Sequence, residues 1–144
     1  ARIGRAKLER VPIDLSAMAR EEGGDRLVAD DGLTAVGDPR LVRLLIRNLV
    51  ENALKFSPND APIRFGRAAG DAFFVRDRGI GFDPRFAHKL FLPFERLVTD
   101  EEFPGSGVGL ANVKRIAERH GGRVWAESRP GAGATFYFTL GHPR

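Results

Sequence analysis

The segment from Asp38 to Ser57 constrains the fold more than any other part of the chain. Asp38 is a good N-cap, and Pro39 suits the first helical position, where a missing N–H costs nothing. Pro58 ends the helix at the other side. At ~100° per residue, Leu41, Leu45, Leu49, Ala53 and Phe56 form one apolar face, and Arg40, Arg43, Arg47 and Glu51 lie opposite. Asn48 and Asn52 break this pattern. They project between Leu41, Leu44 and Leu45, within the apolar stripe or at its margin, and Lys55 shares the same arc of roughly 60°. A buried carboxamide without partners costs about 1–3 kcal/mol. Either both amides bond to neighbouring backbone, or they serve a ligand. Two at i, i+4 with a lysine beside them favour the ligand. Side-chain carbonyl oxygens suit a hard cation such as Mg2+, which also takes substrate phosphates, and lysine offers a phosphate a point charge.

The rest of the chain reads as one domain of mixed elements. Residues 1–22 suggest a helix end, a break at Pro12, and a short helix capped by Asp14 and stopped by Gly23-Gly24. Leu27–Ala29, Ile63–Phe65 and Ala72–Val75 have strand character, with a turn around Gly70. Residues 77–107 are rich in Gly and Pro, with a helical patch near Arg85–Phe91. A second helix is predicted from about Gly109 to His120, with Gly121 as its stop. Two strands close the chain, 123–128 and 134–140, the last alternating Thr135, Tyr137 and Thr139 against Phe136, Phe138 and Leu140. Without regular βαβ alternation, the expected class is α+β: a mostly antiparallel sheet with helices on one face.

Composition excludes several classes of function. No apolar run approaches the ~20 residues of a membrane span, and no signal peptide is legible. Cysteine is absent, so disulfides and thiolate sites are excluded. The net charge of +4 comes from dispersed arginines interleaved with 19 acids, which reads as a solvated surface rather than a nucleic-acid footprint. An anion such as ATP fits the same balance. The chain opens on Ala1 rather than Met, which reads as a piece of a longer protein.

Two glycine-rich segments add to the asparagine pair. Phe73-Phe74-Val75 leads into Asp77-Arg78-Gly79-Ile80-Gly81, where a carboxylate at a strand end can accept from an exocyclic amine such as that of adenine. The glycines there admit a planar ring close to the backbone. Gly105-Ser106-Gly107-Val108-Gly109-Leu110 enters the second long helix, and its backbone N–H groups form a candidate phosphate cradle. Neither the G-x-x-x-x-G-K-[ST] loop nor G-x-G-x-x-G after a strand is present. Residues 92–107 read as a flap or an ordinary surface loop.

Together these segments resemble the ATPase/kinase superfamily of bacterial histidine kinases, type II topoisomerases, Hsp90 and the mismatch-repair ATPases. Asn48–Phe56 is similar to the asparagine box, and Asp77–Gly81 to the first glycine box. Phe91-Leu92-Pro93-Phe94 is similar to the phenylalanine box, Gly105–Leu110 to the second glycine box, and Gly131–Thr135 to the final glycine turn. The stretches around Phe94–Gly105 and His120–Trp125 are similar to phytochrome-type sensor kinases.

The resemblance implies a two-layer α/β sandwich, the Bergerat fold, with a mixed, mostly antiparallel sheet. Residues 1–13 would be the end of a dimerisation-hairpin helix or linker, and 14–144 would form the ATP-binding catalytic domain. It implies Asn52 as the Mg2+ ligand, with Asn48 beside metal and phosphates. Lys55 would touch a phosphate and Phe56 would flank the adenine. Asp77 would bind the adenine amine beside Gly79 and Gly81. Ser106, Gly107, Val108, Gly109 and Leu110 would hold the phosphates, and Thr135 would complete the pocket. Residues 95–105 would be a lid. Relatives that hydrolyse ATP carry a Glu one helical turn before the metal Asn, as a base for water. Asn48 stands there instead, so the resemblance implies a histidine kinase that holds ATP for another nucleophile. Arg78 departs from the family, where Asn is common. His88, His120 and His142 lie in no acceptor motif, so the phosphoacceptor histidine is expected upstream of Ala1.

The implied partners are ATP, the histidine-bearing dimerisation domain of the same kinase, and a response regulator indirectly. No nucleic acid and no membrane contact are expected. The implied address is cytoplasmic, and the chain alone is expected to be monomeric and without autophosphorylation. The sequence leaves open an anti-sigma-type serine kinase, an ATPase of the same superfamily, or a degenerate, non-catalytic nucleotide-binding module.

Overall fold

The structure is a computed structural model that describes residues 7–58, 61–92 and 109–141. Strand β1 (Val11–Asp14) leads directly into helix α1 (Leu15–Gly23), where the Asp14 carboxylate caps the Ala17 N–H at 2.9 Å. Strands β2 (Leu27–Ala29) and β3 (Thr34–Gly37) follow, then the long helix α2 (Pro39–Phe56). A β4–β5 hairpin (Ile63–Arg67 and Phe73–Asp77) precedes a 3-10 segment at Pro84–Phe91. Helix α3 (Gly109–Arg119) and the hairpin β6–β7 (Val124–Ser128 and Ala134–Phe138) complete the described chain.

Five strands form one sheet in the order β2-β4-β5-β7-β6, parallel between β2 and β4 and antiparallel elsewhere. Helices cover one face, so the expected two-layer α+β architecture is the one observed. Alternation along β7 buries Phe136 and Phe138 beneath the helices and turns Thr135 and Tyr137 outward. Phe65, Phe73 and Phe138 cluster beneath the helices, with ring centroids 5.5–6.4 Å apart.

Two features differ from the sequence expectation. Val11–Asp14 does not end a helix; it pairs with Thr34–Gly37 in a separate two-stranded sheet, with Pro12 opposite Val36. Folded structure therefore begins ahead of residue 14, and Glu9 already donates its N–H to the Asp38 carboxylate at 3.1 Å. The buried arc of α2 is also broader than one stripe. Val42, Ile46 and Val50 are fully buried along with Leu45, Leu49 and Ala53, because α2 packs on α1 and α3 as well as on the sheet.

His120, just past α3, ties the layer together. Fully buried, it accepts the Asp38 N–H at Nε2 (3.0 Å), while Nδ1 lies 2.8 Å from the Ile116 carbonyl. That pairing fixes the neutral tautomer with the proton on Nδ1. Burial pushes its pKa below the usual histidine value, against the raising influence of the Ile116 carbonyl.

Candidate functional site

Helix α2 places its anomalous amides toward the start of α3. Asn48 and Asn52 are half-buried, and the Asn48 amide nitrogen is buried without an acceptor among the described residues. The bare Cα of Gly109 lies over it; a Cβ there would stand 3.6 Å from Asn48 Oδ1. The first residue of α3, whose leading N–H groups have no helical acceptors, is thus set directly against the asparagine. An unanswered buried donor beside a helix N-terminus fits an anionic, oxygen-rich ligand. Asn52 offers a carboxamide oxygen on the same flank one turn later. Such a single neutral oxygen suits Mg2+, whose remaining positions are filled by water and phosphate. No group of three His, Cys, Asp or Glu side chains among the described residues gathers as a metal cage.

The other end of the site is built from β5 and the loop after it. Asp77 is buried, and its Oδ1 accepts from Gly79 N–H (2.8 Å) and Ala134 N–H (3.2 Å). Its Oδ2 takes no bond among the described residues, which leaves an acceptor for a ligand amine. Burial raises the Asp77 pKa, although both backbone donors pull the other way. Gly79 passes so close to the end of α2 that a Cβ would overlap the Phe56 carbonyl oxygen. That approach joins the Asp77 loop to the asparagine helix. Gly81, at φ 70°, meets the backbone of Arg129 just as closely. Phe56 is half-buried at this junction, with Lys55 Nζ 5.9 Å from its ring centroid.

Two approaches join the elements that carry the sequence-predicted residues: Asn48 of α2 meets Gly109 of α3, and Phe56 of α2 meets Gly79 of the Asp77 loop, with Asn52 and Lys55 on α2 between them and Gly81 further along the loop. Leu110 follows in the first turn of α3 and packs partly on the core. Ser106, Gly107, Val108 and residues 95–105 lie outside the described residues. Thr135 does not join the group. It is paired with Arg76 on the outer side of the sheet, and its hydroxyl accepts from Arg76 Nε at 3.2 Å. The residue opposite Asp77 is Ala134, one position earlier, which contributes only its N–H.

Sequence reasoning missed Ser128. Its hydroxyl oxygen accepts the Phe82 N–H at 3.0 Å and the hydroxyl donates to the Gly133 carbonyl. With Gly133 N–H to Gly79 O (3.1 Å) and Gly131 N–H to Ile80 O (2.6 Å), it fastens the β6–β7 turn to the Asp77 loop. A serine at a strand end carries no motif, so nothing in the sequence marked it.

Comparison with known proteins agrees with this geometry. Residues 37–144 match the family described as histidine kinase-, DNA gyrase B-, and HSP90-like ATPase. Cyanobacterial phytochrome A of Nostoc sp. is 43% identical over 123 residues, which cover 83% of this chain and 16% of that protein. Phytochrome-like protein Cph1 of Synechocystis sp. is 40% identical over 124 residues, covering 83% and 17%. The chain thus spans about a sixth of the length of these curated relatives. Among solved structures, the mycobacterial sensor histidine kinase MprB superposes with a TM-score of 0.75 at 23% identity, covering 92% of this chain and 97% of that one. Full-length ShkA in complex with AMPPNP gives 0.75 at 26% identity, over 95% of this chain and 32% of that one. By sequence and by fold, the chain belongs to the histidine kinase-, DNA gyrase B- and HSP90-like ATPase family, as a histidine-kinase ATP-binding domain.

Proposed function

We propose that the chain binds MgATP between α2, the Asp77 loop and the start of α3. It would hold the γ-phosphate for transfer to a histidine on a separate dimerisation segment, in two-component signalling. The observation that carries this reading is the buried Asn48 amide under Gly109, which has no acceptor among the described residues, with Asn52 one helical turn further along α2. In a protein core that arrangement costs stability; beside polyphosphate it is complementary.

Each residue then has a role. Asp77 Oδ2 accepts the adenine amine, and Phe56 flanks the ring. Asn48 donates to a phosphate oxygen, Lys55 offsets phosphate charge, and the N–H groups leading α3 from Gly109 and Leu110 face the phosphates. Asn52 would hold magnesium, which, bound with ATP, supplies charge neutralisation at the transferring group. Hydrolysis would need a base near the γ-phosphate. A carboxamide cannot accept a proton, and the neighbouring Glu51 is exposed. The chain's contribution is positioning, so the phosphoryl acceptor comes from the partner segment and a response regulator receives the phosphoryl group later. Among the described residues no helix is long and apolar enough to cross a membrane, and we place this step in the cytoplasm.

Calorimetric titration with a non-hydrolysable ATP analogue, with and without Mg2+, tests the reading. Saturable binding that is lost in Asn52→Ala and Asp77→Ala is expected. Absence of binding at millimolar nucleotide, or full affinity in both variants, would sink it. Steady hydrolysis by the chain alone would point to an ATPase instead.

A further inference from the structure

The sheet face turned away from the helices carries a ladder of rings and guanidinium groups that plays no part in the nucleotide site. Trp125 and Tyr137, opposite each other on β6 and β7, stack with centroids 5.1 Å apart and planes 8° from parallel. Arg123 also lies over the Trp125 ring, at 4.3 Å from its centroid. Phe74 on β5 packs against Tyr137 at 6.4 Å and is covered in turn by Arg76 at 4.6 Å. Arg64 reaches Phe74 from β4 at 6.0 Å. The alternation that points Arg76 and Trp125 outward continues past the strand ends to Arg78 and Arg129, both exposed. Arg78, the departure from the family pattern, thus adds to this face.

Charge on the face is one-sided. Against these five arginines stand Glu127 on β6, Asp30 just past β2, and Asp71 in the turn beside Arg123 and Trp125. Glu127 accepts the Tyr137 hydroxyl at 2.8 Å, and Asp30 pairs with Arg64 at 3.2 Å. Arg76 and Arg123 have no carboxylate within ion-pair distance among the described residues. Both guanidinium groups lie over rings, and Arg76 is held further by the Thr135 hydroxyl at 3.2 Å and by the Tyr137 hydroxyl, so their remaining N–H groups are set for carboxylate acceptors.

We propose that this face docks a carboxylate-rich segment of a partner protein. Ordered guanidinium groups on an apolar floor recognise carboxylates with little loss of side-chain entropy. Single-stranded nucleic acid fits less well, because a base needs a free ring face and here the rings cover one another or lie under arginines. A second copy of the chain would bring the same arginines together across a two-fold axis.

Trp125 is the chain's single tryptophan, so its emission reports from the β6 edge of the face, beside Arg123. The chain is titrated with an oligo-glutamate peptide and, separately, with oligothymidylate of equal charge. The peptide should change the emission saturably and more weakly as salt rises. Arg76→Glu with Arg123→Glu should weaken it by roughly tenfold or more. Arg76→Gln with Arg123→Gln, which keeps side-chain bulk, should lose affinity in the same direction, so early melting of the reversed-charge pair leaves the test intact. Lys114→Glu with Arg115→Glu, the same charge change on α3, should leave affinity within about twofold. An emission unmoved at millimolar peptide overturns the proposal, as does equal weakening by the α3 pair. Tighter binding of oligothymidylate would assign the face to nucleic acid, and self-association relieved by Arg76→Glu would assign it to a second copy; either result rejects the acidic partner.

Discussion

Helix α2 has two polar flanks, and they are treated in opposite ways. On one, Arg43 reaches Glu22 at 2.9 Å and Glu21 at 2.8 Å, and Arg47 reaches the other oxygen of Glu22 at 2.9 Å. Glu22, the more buried partner, is answered at both oxygens. Its pKa is held low chiefly by the Arg47 hydrogen bond. On the other flank, half-buried Asn48 has a buried amide nitrogen whose protons nothing in the described structure accepts. The first flank fastens α1 to α2 and is complete in itself. The second is incomplete, and its missing partners are those a phosphate chain would bring. What marks a site on this helix is therefore not polarity but polarity left unanswered.

The largest expected effect breaks that comparison directly. Asn48→Leu removes the orphaned amide and keeps the branched four-heavy-atom shape, so thermal stability at neutral pH should hold or rise. MgATP affinity should fall by about tenfold to a hundredfold, the range for a hydrogen bond to a charged group. Glu22→Gln should do the reverse. Stability drops by about 1 kcal/mol, as for a networked pair at a partly exposed position, while affinity stays within about twofold. Melting curves and calorimetry on the two variants read both quantities. If each variant moved both quantities together, the two flanks would not be separate in kind.

How much of this was legible in the sequence depends on how local the cause is. Asp38, Pro39 and Pro58 announced the ends of α2 because capping is decided within a few residues. The asparagine pair was legible because it violated a 3.6-residue period. Strands β1 and β3 were not, since each has only four residues and is stabilised by a partner more than twenty positions away. The breadth of the buried arc on α2 was hidden for a related reason: α1 and α3 bury faces that the sheet alone would leave open. Thr135 was placed in the site by motif position. The alternation along 134–140 already set Thr135 on the polar side of its strand, and the observed register, which no local pattern specifies, puts Ala134 opposite Asp77 and Thr135 opposite Arg76.

His120 sharpens the comparison from within the core, as a polar group answered at both ring nitrogens and kept neutral. The folded state holds its pKa below the ordinary histidine value, mainly through burial. Arg10 and Arg119 lower it further, and the Ile116 carbonyl and Asp38 raise it. The unfolded chain then binds the proton first as pH falls, so stability is fully present above about pH 6.5 and is lost as pH drops through the lowered folded pKa. The slope that one such group can add is at most about 1.4 kcal/mol per pH unit. A charged ring would also turn an N–H toward the Asp38 N–H and loosen the start of α2. His120→Gln should be less stable at pH 7 but flatter between about pH 6.5 and 5 in denaturant titrations. An unchanged slope would show that this ring is not the acid-sensitive group.

The smallest expected effect lies between the two kinds of polar group. Ser128 is answered, by Phe82 and Gly133, yet the proposed adenine contact depends on the loop that it fastens. Ser128→Ala leaves that loop held by the Gly131 and Gly133 backbone bonds and by the N–H groups that Asp77 accepts. ATP affinity should weaken by about fivefold, the equivalent of one ordinary hydrogen bond. A purely structural role would weaken every nucleotide alike. A positioning role acts through Asp77, so it should reduce the preference for ATP over inosine triphosphate, which has a carbonyl where ATP has its amine. Ser128→Thr, which keeps the hydroxyl, should restore that preference. An unchanged ATP-to-inosine ratio in Ser128→Ala, with wild type discriminating normally, would show that the Asp77 loop needs no anchor beyond its glycines. A wild type that does not discriminate would instead remove Asp77 from adenine recognition.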